Sequence, residues 1–217
     1  DKGARSYASL RAEDPGGSRF ALCRAALGSK NNSASSYNTA VGYDAGTNVT
    51  IGKKNNLFGG EAGDALTTGN NNIAIGYGAL GSEDTGSRNV AIGQSALSSL
   101  NFNGNGYNIA IGHNTGLNLS TGVQNTLIGA QAGDALTTGA YNTVLGYSAL
   151  SSEDTGGKST AIGYFALSQQ NNDSDNYNVA VGHSAGESVT TGTNNTIVGS
   201  LAGDALTTGI QNVAIGR

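Results

Sequence analysis

Methionine and tryptophan are absent from this 217-residue chain, which has one proline, one cysteine and two histidines. A lone cysteine, Cys23, cannot form an intrachain disulfide; it is either a small buried residue or a link between chains. His113 and His183 lie one repeat unit apart, so they cannot share a metal within one chain and read as surface residues. Charged residues are only 12% of the chain, with 11 Lys and Arg scattered against 15 Asp and Glu. A net charge of −4 with no basic stripe excludes nucleic acid as an expected partner. No apolar run approaches the roughly 18 residues of a membrane span. The chain opens at Asp1 without a signal-peptide pattern, so any leader is expected to lie upstream or to have been removed. There is no Ser-His-Asp set, phosphate loop or dinucleotide fingerprint, and no cofactor is expected.

What the chain has in quantity is glycine, 35 of them, and a repeated phrase. Asn72-Ile73-Ala74-Ile75-Gly76 is one instance of Asn-x-small-aliphatic-Gly, which starts at 38, 55, 72, 89, 108, 125, 142, 159, 178, 195 and 212, with Ser159 in place of Asn. The intervals are 17, 17, 17 and 19, and this set of four repeats. A fixed period of this kind marks a repeat architecture. Three coils of 17 and one of 19 make a 70-residue unit: Gly63 to Gly69 returns at Gly133 to Gly139 and at Gly203 to Gly209. Glu13-Asp14-Pro15-Gly16-Gly17 keeps the same clock, 140 residues before Glu153 to Gly157. The chain therefore divides into superrepeats 2–71, 72–141 and 142–211, with 212–217 opening a fourth, all within one domain, 1–217.

Several glycines per coil oppose a helix, each costing about 1 kcal/mol relative to Ala. Ile, Val and Thr crowd the phrase and suit pleated strands. The expected fold is all-β: a parallel β-solenoid, or β-roll, of about 12 coils, its coils about 4.8 Å apart in a rod on the order of 60 Å long. The fourth residue of the phrase, from Val41 through Ile111 to Ile215, is large and apolar every time and is expected to form the interior. The third then points outward, and it too is apolar: Leu57, Ala74, Leu127, Val144 and Ile197 are the expected chain-to-chain contacts. Such a strand needs cover on both faces, from another side of the same coil or from another chain. On this assignment a charge at Ile111 would be buried and one at Leu127 would sit between chains. The opening Asn is expected to stack into an amide ladder, and the closing Gly to take a positive φ. Leu80 and Leu97 against Gly116 and Gly133 suggest a core of varying thickness.

The remaining polar residues read as structural. Asp64, Asp134 and Asp204 recur every fourth coil, as do Glu83-Asp84 and Glu153-Asp154, whereas an active site is usually unique. The loops Ser98 to Tyr107 and Ser168 to Tyr177 hold the insertions of the 19-residue coils. Asn171 to Asn176 offers oxygen ligands but lacks the glycine pattern of calcium-binding rolls, and reads as a solvated turn. Tyr37, Phe102, Tyr107, Tyr141 and Tyr177 lie beside loops, where they could stack on sugars or pack between chains.

Asn142-Thr143-Val144-Leu145-Gly146-Tyr147-Ser148-Ala149-Leu150 and Thr190-Thr191-Gly192-Thr193-Asn194-Asn195-Thr196 resemble the 17-residue repeats of phage tail-fibre and related surface proteins, which often precede an endosialidase-type chaperone domain. More distantly the chain is similar to the head repeats of trimeric autotransporter adhesins. Adhesin head coils are shorter than the 17 residues repeated here. The resemblance implies an extracellular, cell-surface or virion fibre, usually homotrimeric. A non-enzymatic fibre or adhesin stalk that binds itself, and in some settings surface glycans, is therefore the expected function. An ice-binding solenoid, suggested by Thr67-Thr68, Thr137-Thr138 and Thr207-Thr208, is the alternative, with a glycan-binding fibre segment beside it. A polysaccharide-degrading β-helix would need larger coils and an irregular cleft. Asn212, Val213, Ala214, Ile215 and Gly216 are the expected end-to-end contact, continuing the ladder onto the slot held by Lys2 to Ser6.

Overall fold

The computed structural model describes residues 20–23, 26–27 and 36–217. The segments Lys2 to Ser6 and Glu13 to Gly17 lie outside the described residues. Twelve three-residue strands follow one another: β1 (Phe20–Leu22), β2 (Thr39–Val41), β3 (Asn56–Phe58), β4 (Ile73–Ile75), β5 (Val90–Ile92), β6 (Ile109–Ile111), β7 (Thr126–Ile128), β8 (Thr143–Leu145), β9 (Thr160–Ile162), β10 (Val179–Val181), β11 (Thr196–Val198) and β12 (Val213–Ile215). They form one parallel sheet in chain order, and no helix occurs among the described residues. Equivalent residues pair throughout, as Ala40 with Leu57 and Leu57 with Ala74. The fold is the β-solenoid that the period implies.

Each strand is confined to three residues by what flanks it. On one side the phrase Asn leaves the sheet and builds a ladder of its own. The backbone N–H of Asn72 donates to Oδ1 of Asn55 (2.9 Å), and Asn72 Nδ2 donates to the carbonyl of Gly86 (2.9 Å). The same pair of bonds recurs at Asn55 and Asn125, and these side chains are buried. On the other side stands the closing Gly, with φ between 117° and 147° from Gly42 to Gly216. A Cβ on Gly42 would lie 2.3 Å from the carbonyl oxygen of Gly59 in the next coil, so from Gly42 onward space as well as φ favours glycine in this column. Cys23 occupies the same slot with φ 112° and is exposed, which rules out the buried alternative.

The interior is the third column of the phrase, and this reverses the expected faces. Leu57, Ala74, Leu127, Val144 and Ile197 are all fully buried, so they are core residues and not chain-to-chain contacts. The fourth column faces out: Phe58 and Ile75 are each 38% exposed, Ile111 36% and Leu145 46%, while Val41, Ile92, Ile128, Ile162 and Val181 are half-buried. The reason is thickness. A 17-residue coil brings its opposite wall, the buried alanines Ala45, Ala62 and Ala79 and their equivalents, directly against the sheet. No room remains for a bulky branched side chain in every coil.

The interior volume is instead shared between walls. Where the third column carries Leu57, Leu127 or Ile197, the place six residues on carries Gly63, Gly133 or Gly203. Where it carries Ala74, Ala91 or Ala161, that place carries Leu80, Leu97 or Leu167, all buried. A Cβ on Gly63 would lie 2.9 Å from Cδ2 of Leu57. Where both places are small, as at Ala110 and Gly116, leucines of the adjacent coils fill the space: a Cβ on Gly116 would lie 2.9 Å from Leu127 Cδ1 and 3.0 Å from Leu97 Cδ2.

The two faces separate in a mutational experiment. Leu127→Lys buries an unpaired charge and is expected to cost several kcal/mol, lowering the urea midpoint sharply. Ile111→Asp adds its charge at a face that the single chain leaves open to water and, compared at a dilution where both proteins are single chains, is expected to cost about 1 kcal/mol or less. Equal losses, or the reverse order, would contradict the assignment of faces.

Candidate functional site

Three groups of residues remain once the core is removed: the outer face of the sheet, the inserted loops and the exposed side chains of the turns. The outer face is built by the second and fourth columns of the phrase. From β2 to β12 the second mixes Thr (39, 126, 143, 160 and 196) with Ile and Val (73, 90, 109, 179 and 213), and Asn56 stands once among them. The fourth is aliphatic or aromatic in every coil, from Leu22 (55% exposed) to Ile215 (76%). In-register pairing lines these side chains into two files, each file repeating at about 4.8 Å. Across the glycine corner a further column carries Tyr43, Tyr77, Tyr147 and Tyr164, all about half exposed. Tyr147 stacks on Tyr164 (centroids 5.6 Å apart) and Tyr164 on His183 (5.1 Å). The two histidines are exposed members of this column.

The inserted loops of the 19-residue coils close on buried carboxylates. Glu83 Oε1 accepts the N–H of Gly86 (2.6 Å) and Oε2 accepts that of Phe102 (3.2 Å). Burial raises the Glu83 pKa above its ordinary value, although these bonds favour the charged form. Glu153 does the same work one superrepeat later with different company. Its Oε1 accepts from Gly156 (2.8 Å), and Oε2 accepts from Gln170 Nε2 (3.1 Å) and Asn176 Nδ2 (2.8 Å). Gln170 also donates to Ser159 Oγ (3.0 Å), and its Oε1 accepts from Asn178 Nδ2 (2.7 Å). Gln170 therefore carries the amide ladder past the single coil whose phrase begins with Ser.

The change of company is a packing requirement. A Cβ on Gly106 would lie 2.2 Å from Oδ1 of Asn89, so a side chain at that place excludes Asn from the ladder below it. Asn176 supplies such a side chain, and the residue below it is Ser159. The sequence held this signal as three coordinated differences between superrepeats, at 89 and 159, 100 and 170, and 106 and 176. The period alone does not show why they change together.

The other candidate residues are dispersed or already engaged. Asp64 and Asp134 have pKa values raised chiefly by burial, and they sit four coils apart. In the loop 171–176, Ser174 Oγ donates to Asn172 Oδ1 (3.2 Å), Asp173 accepts from Thr155 (3.2 Å) and Asp175 pairs with Lys158 (2.7 Å). Thr67 and Thr137 spend their hydroxyls on the carbonyls of Asp84 and Asp154 (3.1 and 3.0 Å). Among the described residues no three His, Cys, Asp or Glu side chains converge as metal ligands, and no helix is long and apolar enough to cross a membrane. Comparison with family models, characterised proteins and solved structures finds no match to this chain.

Glu83 generates a pH prediction. Its folded pKa lies above the unfolded value, so the folded chain takes up a proton first as pH falls. Its contribution to stability therefore rises as pH falls through the folded pKa and levels off below the unfolded one. Glu83→Gln is expected to remove that part of the slope of thermal midpoint against pH between neutrality and pH 4. Glu83→Ala strands the N–H groups of Gly86 and Phe102 and is expected to cost about 2–4 kcal/mol at neutral pH. A Gln variant with an unchanged slope would contradict the assignment.

Proposed function

We propose that this chain is a non-enzymatic structural rod, a segment of an extracellular, cell-surface or virion fibre, that assembles with copies of itself. The observation that carries this reading is the outer sheet face, a run of large apolar side chains from Leu22 to Ile215 that no part of the described chain covers. Exposed apolar patches of such extent mark association surfaces. The interface accordingly falls on the fourth column, with Phe58, Ile75, Ile111 and Leu145 in place of the third-column residues. The tyrosine column across the glycine corner gives each rod a second adhesive side beside the first. A rod with two such sides meeting at an edge suits a three-fold bundle, the state that the resemblance to tail-fibre repeats also implies.

A second reading is favoured by one feature of the same face. Its two files of branched side chains, with Thr at 39, 126, 143, 160 and 196, form the double row that an ice-binding surface requires. Phe58 and Leu145 break that array with bulk, and this places association between chains ahead of it.

The test is a double variant, Ile111→Lys with Leu145→Lys, followed by light scattering and circular dichroism. The expected outcome is an unchanged β spectrum and a fall in mass to the single chain. An undiminished mass in a folded double variant would overturn the proposal, and thermal hysteresis in the native protein would favour the second reading.

A further inference from the structure

We propose that a basic cleft, formed by the segments that lead into β3, β4, β5 and β6, binds an acidic oligosaccharide, in which sparse carboxylates are carried on hydroxyl-rich sugar units. The cleft has a volume of about 260 Å³ and is lined by Lys53, Lys54, Asn70, Asn71, Ser87, Arg88 and Asn105, with no carboxylate among them. Three of the chain's 11 cations thus meet at one place in a protein of net charge −4.

The backbone supplies the first argument. The residue just before each phrase lies in the left-handed region throughout, from Tyr37 (φ 51°) through Lys54 (58°) and Arg88 (63°) to Gln211 (57°). Glycine would adopt that conformation without penalty, yet none of these places holds glycine in a chain with 35 of them. Each holds Tyr, Lys, Arg, Asn or Gln, so long polar side chains are kept there at a cost in strain.

The next superrepeat serves as an internal control. Seventy residues on, the seven lining residues are replaced by Val123, Gln124, Ala140, Tyr141, Gly157, Lys158 and Asp175. The scaffold repeats, but the chemistry does not. At the later place Asp175 pairs with Lys158 at 2.7 Å and neutralises it, whereas at the earlier one Asn105 stands in that position. Arg88 lies over the ring of Tyr107 at 5.5 Å, with its guanidinium donating to the phenol oxygen (3.0 Å).

The floor of the cleft is fixed. Asn70 Oδ1 accepts from the N–H of Lys53 (2.9 Å) and Ser87 Oγ from that of Asn70 (2.9 Å), which spends two polar side chains on rigidity. Lys53, Lys54, Asn71 and Asn105 then present donors around Arg88. Three cations set among amides and a hydroxyl match a polymer whose charges are interspersed with hydroxyl groups. A nucleic acid carries a phosphate at every unit and would call for a denser basic track. The site lies outside the strands and stands independently of the assembly reading.

Isothermal titration with a short oligogalacturonate, a neutral oligosaccharide of the same length and a single-stranded oligonucleotide tests the proposal. The native protein is expected to bind the oligogalacturonate, and Lys53→Thr with Lys54→Gln and Arg88→Gln is expected to weaken it at least tenfold with the assembly mass unchanged. Failure to bind the uronate, equal binding by the triple variant, or tighter binding of the oligonucleotide would each overturn it.

Discussion

A narrow interior, in which each coil buries at most two large aliphatic side chains such as Leu57 with Leu66 or Leu97 with Leu100, is the constraint on which the rest of this molecule depends. Seventeen residues close a coil so tightly that the sheet and the alanine wall opposite are nearly in contact. Every interior place must then be sized against its neighbours in the same coil and in the coils above and below. This explains why Leu57 faces Gly63 while Ala74 faces Leu80, and why a Cβ on Gly46 would collide with Leu57 Cδ1 of the next coil at 2.5 Å. The same thinness forces the larger branched residues of the fourth column outward. The apolar outer face therefore follows from the narrow coil.

A coil so thin has few apolar contacts to hold its turns, and hydrogen bonds between coils take over that task. The buried asparagines act as an extra strand made of side chains, joining each turn to the next as the backbone joins β-strands. In low-dielectric surroundings such chains of amides are strong when complete and costly when broken. The ladder lapses at Asn89, whose buried Nδ2 has no partner, and at Ser159, where Gln170 bridges it, and the inserted loops are drawn down onto Glu83 and Glu153. The insertions are thus part of the scaffold.

Much of this was legible in the residues. The 17- and 19-residue intervals establish the coil, the strand positions and the superrepeat, and Asn and Gly at the ends of the phrase announce the ladder and the tight corner. The direction of the pleat was not legible from the constancy of a column. Ile75, Ile111 and Leu145 are uniformly large because they meet no opposing wall, and the true interior announces itself by variation that is compensated elsewhere, as between Leu57 and Gly63. The loop networks and the basic cleft were hidden for another reason. Each joins residues from adjacent coils, such as Lys54, Asn71 and Arg88, which only stacking brings together.

The functional reading rests on the outer face being covered by other copies of the chain. Sedimentation equilibrium on the native protein measures that most directly. The account predicts a mass that is a multiple of the 21.6 kDa chain, threefold if the wedge of apolar and tyrosine columns sets the symmetry. A folded species that stays at 21.6 kDa to the highest attainable concentration would contradict it.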